Sequence, residues 1–136
     1  MRILVADDDL ILSRLLEHRL AEREYEVLVA HDALQAWQLA RRDLPDLVLL
    51  DINMPGGTGL TVLQRLKSNL RVRGIPVIVL TATEDESLLL KVQAEHPEAV
   101  LHKPIRFEDL AREINRVLAA RELAKPERLV VQKGKA

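Results

Sequence analysis

Four places in this 136-residue chain carry side chains that could do chemistry together: the acids Asp7-Asp8-Asp9, a separate acid at Asp51, a hydroxyl at Thr81 and an amine at Lys103. Each stands at the end of a short apolar run, and that shared position makes them a set. Three carboxylates in one pocket repel one another, and at least one would keep its proton unless a cation compensates. A hard divalent ion does so, and ligation by oxygen alone favours magnesium over zinc or copper. A carboxylate nucleophile, a metal ion, an ammonium and a hydroxyl are the parts needed to move a phosphoryl group onto Asp51. The metal and Lys103 would offset charge on the equatorial oxygens, and Thr81 would hydrogen-bond one of them.

The elements that must bring these residues together are readable from the apolar periodicity. Leu47-Val48-Leu49-Leu50 is continuously apolar, as a strand buried on both faces requires. It delivers Asp51 to the start of Ile52-Asn53-Met54-Pro55-Gly56-Gly57-Thr58-Gly59, whose proline and glycines force a loop. Similar runs occur at Ile3 to Ala6, Val27 to Ala30, Val77 to Leu80 and, more weakly, Ala99 to Leu101. Between and after them lie helical spacings: Leu12, Leu15, Leu16 and Leu20; Ala33, Ala36, Trp37 and Ala40; Leu60, Leu63 and Leu66; Leu88, Leu89 and Val92; Leu110, Ile114, Val117 and Leu118. Asp32 with Gln35, and Thr83 with Glu86, have the spacing of capping boxes. Strands separated by single helices imply right-handed crossovers, hence a (βα)5 α/β domain with a parallel sheet covered on both sides. In such a sheet all these strand ends emerge on one edge, where ligands bind.

Composition restricts the class further. Lys plus Arg (20) nearly balances Asp plus Glu (21), and the formal charge of -1 gives no argument for nucleic acid or an anionic membrane as partner. The absence of cysteine excludes disulfides, thiol catalysis and thiolate-bound metal. No apolar run approaches the roughly 18 residues of a membrane span. Met1-Arg2-Ile3-Leu4-Val5 enters a strand at once, leaving no room for a signal peptide, so a cytoplasmic location is expected. Pro126 ends any helix at or before Lys125. The expected division is a domain over 1–122 and a charged tail or linker over 123–136.

On these residues the chain resembles the receiver domain of two-component response regulators. The first strand with Asp7-Asp8, the Asp51 to Gly59 segment, Thr81-Ala82 and Lys103-Pro104 match that family in order and separation, over about residues 1 to 122. The resemblance implies the CheY-like, flavodoxin-like strand order 2-1-3-4-5, which the handed crossovers alone do not supply. It implies that Asp51 accepts a phosphoryl group from the phosphohistidine of a sensor histidine kinase or a histidine phosphotransfer protein. Asp8 would bind Mg2+ directly, Asp7 mostly through water, and Asp51 and the main-chain carbonyl of Asn53 would complete the protein ligands. Thr81 resembles the switch hydroxyl, Lys103 the phosphoryl-binding cation, and Pro104 a proline often preceded by a cis peptide bond. Leu12, Leu15 and Ile105 match positions that face the kinase. The side chains of Asn53 and Thr83 match positions that set a slow autophosphatase rate. Such a chain is a phosphoacceptor and not a turnover enzyme, with an unassigned downstream protein and phosphorylation-dependent homodimerisation as a further expectation. Two departures bear on the switch: Val100 stands where the family usually has an aromatic residue, and Glu95-His96-Pro97 replaces a turn of small residues.

Two other functions fit parts of the pattern. A phosphatase of the haloacid dehalogenase kind also uses an aspartate after a buried strand, but places an acid two residues later, where this chain has Asn53. A phosphorylation-independent binding module is compatible with Val100, and the intact Asp7, Asp8, Asp51, Thr81 and Lys103 argue against it. Taken singly, Asp9 reads as a helix N-terminus, Gly56-Gly57 as plain turn chemistry and Trp37 as core. His18, His31, His96 and His102 lack metal-ligand spacing and read as structural or surface residues.

Overall fold

The computed structural model describes residues 1–54 and 59–124. Among them the apolar runs form β1 (Arg2–Ala6), β2 (Glu26–Ala30), β3 (Leu47–Asp51), β4 (Val77–Thr81) and β5 (Ala99–His102). The amphipathic segments form α1 (Leu10–Glu22), α2 (Ala33–Asp43), α3 (Gly59–Ser68), α4 (Glu86–Ala94) and α5 (Phe107–Ala124). The strands pair in parallel in the order β2-β1-β3-β4-β5, the 2-1-3-4-5 topology of CheY-like folds. The chain divides into two compact units, Met1–Pro104 and Ile105–Ala136. The first holds the whole sheet and α1 to α4. The second contains α5, on which Leu110, Ala111, Ile114, Val117 and Leu118 are buried. Among the described residues no helix is long and apolar enough to cross a membrane.

Burial explains the strand sequences. Every residue of β3 and β4 is buried, so neither strand can alternate apolar with polar. Leu4, Ala6, Val48, Leu50, Val77 and Val79 share one cluster with Ala36 and Ala40 of α2, Val62, Leu63 and Leu66 of α3, and Val92 of α4. Each fully buried leucine there contributes about 2 kcal/mol by leaving water. This rigid base fixes the strand ends.

Several local expectations change. Asp51 and Thr81 are the last residues of their strands and not the first of their loops. The buried stripe of α1 is Ser13, Leu16 and Leu20, whereas Leu15 is 50% exposed. Leu12 is half-buried. Trp37 is only partly buried, with the guanidinium carbons of Arg65 and Arg41 at 5.6 and 5.9 Å from its ring centroid. Two cations near the ring face favour a wet boundary position over a fully dry one. Asp32 caps α2 as expected, accepting from Gln35 N–H at 2.8 Å. The cap of α4 is Asp85, which accepts from Ser87 and Leu88, so the Thr83–Glu86 capping box does not form. The glycine pair at 56–57 and the stretch from 125 onward lie outside the described residues.

Candidate functional site

The three strand ends that carry the polar groups share one local device. Asp7 Oδ1 accepts from the N–H of Asp9 at 2.9 Å, Asp51 Oδ1 from Asn53 N–H at 3.1 Å, and Thr81 Oγ1 from Thr83 N–H at 3.0 Å. Short oxygen-bearing side chains form such turns by bonding a main-chain N–H two residues on. Each bond orients the side chain as the strand gives way to loop. The sheet register brings the ends together, since Ala6 pairs with Leu50, Asp51 with Leu80 and Thr81 with His102.

The three consecutive acids divide their work. Asp9 is the N-cap of α1, accepting from Ile11 and Leu12 N–H at 3.0 and 3.1 Å, a cap worth about 1 kcal/mol. Asp7 is completely buried, whereas Asp8 is exposed. Lys103 enters from the end of β5, its N–H donating to Thr81 O at 2.7 Å. Its ammonium lies 2.8 Å from Asp7 Oδ2 and 3.5 Å from Asp51 Oδ2. The Lys103–Pro104 peptide bond is cis.

The electrostatics follow from this packing. Burial pushes the Asp51 carboxyl up to about 6, against the Asn53 N–H and with help from the Asp7 charge. Lys103 loses hydration, which lowers its affinity for a proton, but the hydrogen bond and charge of Asp7, together with Asp51, outweigh this and raise it. Three carboxylates and one ammonium leave a formal charge of −3 + 1 = −2, which a divalent cation cancels.

Carboxylate oxygens of Asp7, Asp8 and Asp51 lie within 4.8 Å of one another. Opposite ligands of a magnesium ion are separated by about 4.2 Å, so the donor set fits one ion after small side-chain adjustment. The structure therefore gathers Asp7, Asp8, Asp51, Thr81 and Lys103 at one edge. Asn53 lies two residues beyond Asp51, its N–H already committed to the Asp51 carboxylate.

Two contributors were not legible in the sequence reading. A Cβ on Gly59 would overlap the Asp51 carbonyl oxygen and stand 2.6 Å from Ile52 Cα. Gly59 also donates its N–H to Ile52 O at 2.7 Å, seating the start of α3 on the backbone that carries Asp51. Only a residue without a side chain permits that approach. His31, read from the sequence as a structural or surface residue, places Nδ1 3.2 Å from the Asp7 carbonyl oxygen.

Comparison with known proteins agrees with this geometry. Residues 3–115 match the response regulator receiver domain. The chain is 42% identical over 104 residues to the response regulator PleD of Caulobacter vibrioides, covering 76% of this chain and 23% of PleD. It is 34% identical over 118 residues to the protein PilH of Pseudomonas aeruginosa, covering 87% of this chain and 98% of PilH. Among solved structures, the receiver domain of a histidine kinase from Syntrophus aciditrophicus superposes with a TM-score of 0.84 at 26% identity, covering 92% of this chain and 95% of that one. This chain thus spans less than a quarter of PleD and nearly all of PilH. It belongs to the response regulator receiver domain family of two-component systems.

Proposed function

We propose that Asp51 is the phosphoacceptor of this receiver and that the chain works as a phosphorylation switch. The observation that carries this reading is the convergence on Asp51 of a buried acid, an exposed acid and an ammonium, with Lys103 Nζ 3.5 Å from Asp51 Oδ2. A carboxylate oxygen of Asp51 attacks phosphorus of a phosphohistidine. The P–N bond breaks, and its electron pair returns to the donor imidazole, which takes a proton. Attack needs the ionised carboxylate. Burial pushes its carboxyl up only to about 6, so Asp51 is mostly ionised at pH 7.

Asp7, Asp8, Asp51 and the main-chain carbonyl of Asn53 would hold Mg2+, which when bound supplies charge stabilisation for the phosphoryl oxygens. Lys103 provides a second cation and is held between Asp7 and Asp51 in the meantime. Thr81 Oγ1 spends a lone pair on Thr83 N–H and keeps its O–H proton. That proton is available to a phosphoryl oxygen. Val100, half-buried against the core, has one side-chain torsion to set, so the response to phosphorylation passes through backbone and loop shifts. The acyl phosphate is lost slowly to water, which makes the chain a stoichiometric acceptor and not a turnover enzyme.

The partner that delivers the group is a histidine kinase or a histidine phosphotransfer protein. Supporting this, α1 begins beside Asp7–Asp9 and leaves Leu10 57%, Ile11 84% and Leu15 50% exposed. Apolar surface of that kind, next to the reacting carboxylate, suits docking of another protein. The test is intact mass after incubation with a small phosphodonor, with and without Mg2+, on wild type and Asp51→Ala. One phosphoryl group gained only by the wild type, and only with Mg2+, is the expected result. Uptake by the Asp51→Ala variant would refute the assignment.

A further inference from the structure

Asp7 is held by its main chain as well as by its carboxylate. Its N–H donates to the Ala30 carbonyl at 3.0 Å, and its own carbonyl oxygen lies 3.2 Å from Nδ1 of His31. A carbonyl can only accept, so this contact requires the proton to be on Nδ1. The two bonds fix the peptide planes on both sides of the Asp7 Cα. They thereby set the direction of the Asp7 side chain and the path of the chain into Asp8.

The histidine is itself anchored. Its N–H donates to Gln35 Oε1 at 2.9 Å, and the Gln35 N–H donates to Asp32 Oδ1 at 2.8 Å. The first turn of α2 thus forms a clip that reaches across from β2 to the end of β1. Of the two side-chain bonds of Asp7, the one to Asp9 N–H closes a turn around Asp8, and the one to Lys103 orients the Asp7 carboxylate alone. The main-chain clip acts on both acids from the strand side, through the peptide that joins them.

We propose that His31 is a positioning residue for the metal site: its Nδ1–H holds the Asp7 carbonyl and so aims the Asp7 and Asp8 carboxylates toward the divalent cation. This rests on the reading that those acids hold Mg2+. Groups that orient metal ligands from behind commonly change affinity by about tenfold or more when removed.

The test compares wild type with His31→Leu, which removes the donor, and His31→Asn, whose amide nitrogen can take the place of Nδ1. Titration calorimetry with Mg2+ at pH 8 is expected to show binding weakened about tenfold in His31→Leu and largely restored in His31→Asn. Long-range 15N NMR of the metal-free wild type is expected to show His31 protonated on Nδ1. Equal affinity in wild type and His31→Leu, or a proton on Nε2, would overturn the inference while leaving the metal reading intact. No Mg2+ binding by the wild type would overturn the metal reading and this inference with it.

Discussion

Replacing Asp51 with asparagine is expected to stabilise the metal-free protein at neutral pH, although it removes the reacting group. Burial raises the Asp51 carboxyl from an ordinary 3.8 to about 6 in the folded chain. Between those values the folded state keeps a proton that the unfolded state has lost, so stability falls as pH rises through that window. Below about pH 4 the group is protonated in both states and the native chain keeps the full benefit. Above about pH 6 that benefit is gone, and the difference amounts to roughly 3 kcal/mol. Asparagine never ionises, and its oxygen can still accept from Asn53 N–H. Urea unfolding with a chelator present, at a series of pH values, is the assay. The stability gap between Asp51→Asn and wild type should be near zero at pH 4 and reach about 2–3 kcal/mol in favour of the variant at pH 7.5. Added Mg2+ should narrow that gap, because only the wild type keeps the complete ligand set. A variant less stable than wild type at pH 7.5, or a gap that does not change with pH, would refute the electrostatic reasoning.

Other perturbations test other parts of the site. Lys103→Met leaves the fully buried Asp7 carboxylate without its ammonium at 2.8 Å, and should destabilise the metal-free chain by about 3 kcal/mol in denaturant titrations. An unchanged midpoint would mean that Asp7 does not depend on that pair. Gly59→Ala drives a methyl group into the Asp51–Ile52 backbone, and a loss of about 3 kcal/mol or more, with reduced phosphoryl uptake, is expected. Normal stability and uptake would contradict the close approach. Because Mg2+ must displace the Asp51 proton, its affinity by calorimetry should fall about tenfold per pH unit below pH 6. Affinity independent of pH from 5 to 8 would show that Asp51 is not a ligand.

What the sequence made legible was set by period and by position. Continuous apolar runs mark β3 and β4 because both faces of the sheet are covered, and the residues that end those runs are the site. Asp9 and Asp32 announce helix starts because a short acid satisfies N–H groups that the helix leaves open. What was not legible depends on contacts between residues distant in the chain. Nothing adjacent to Lys103 shows that its nearest acid is Asp7, 96 residues away. Gly59 reads as one more loop glycine until the backbone of Asp51 is placed against it. His31 lacks any ligand spacing, since its role runs through a carbonyl that every residue possesses. Thr83 and Asp85 both offer capping chemistry, and only the path of the chain after β4 decides for Asp85. Leu15 follows the helical period of α1 yet faces out, because the buried stripe runs through Ser13, Leu16 and Leu20.

The most direct test of the central claim is the position of the phosphoryl group. The phosphorylated chain would be treated with borohydride, which reduces an aspartyl phosphate to homoserine, then digested and sequenced by mass spectrometry. The account predicts homoserine at position 51 and unmodified acid at Asp7, Asp8 and Asp9. Modification at any of those three with Asp51 intact would contradict it.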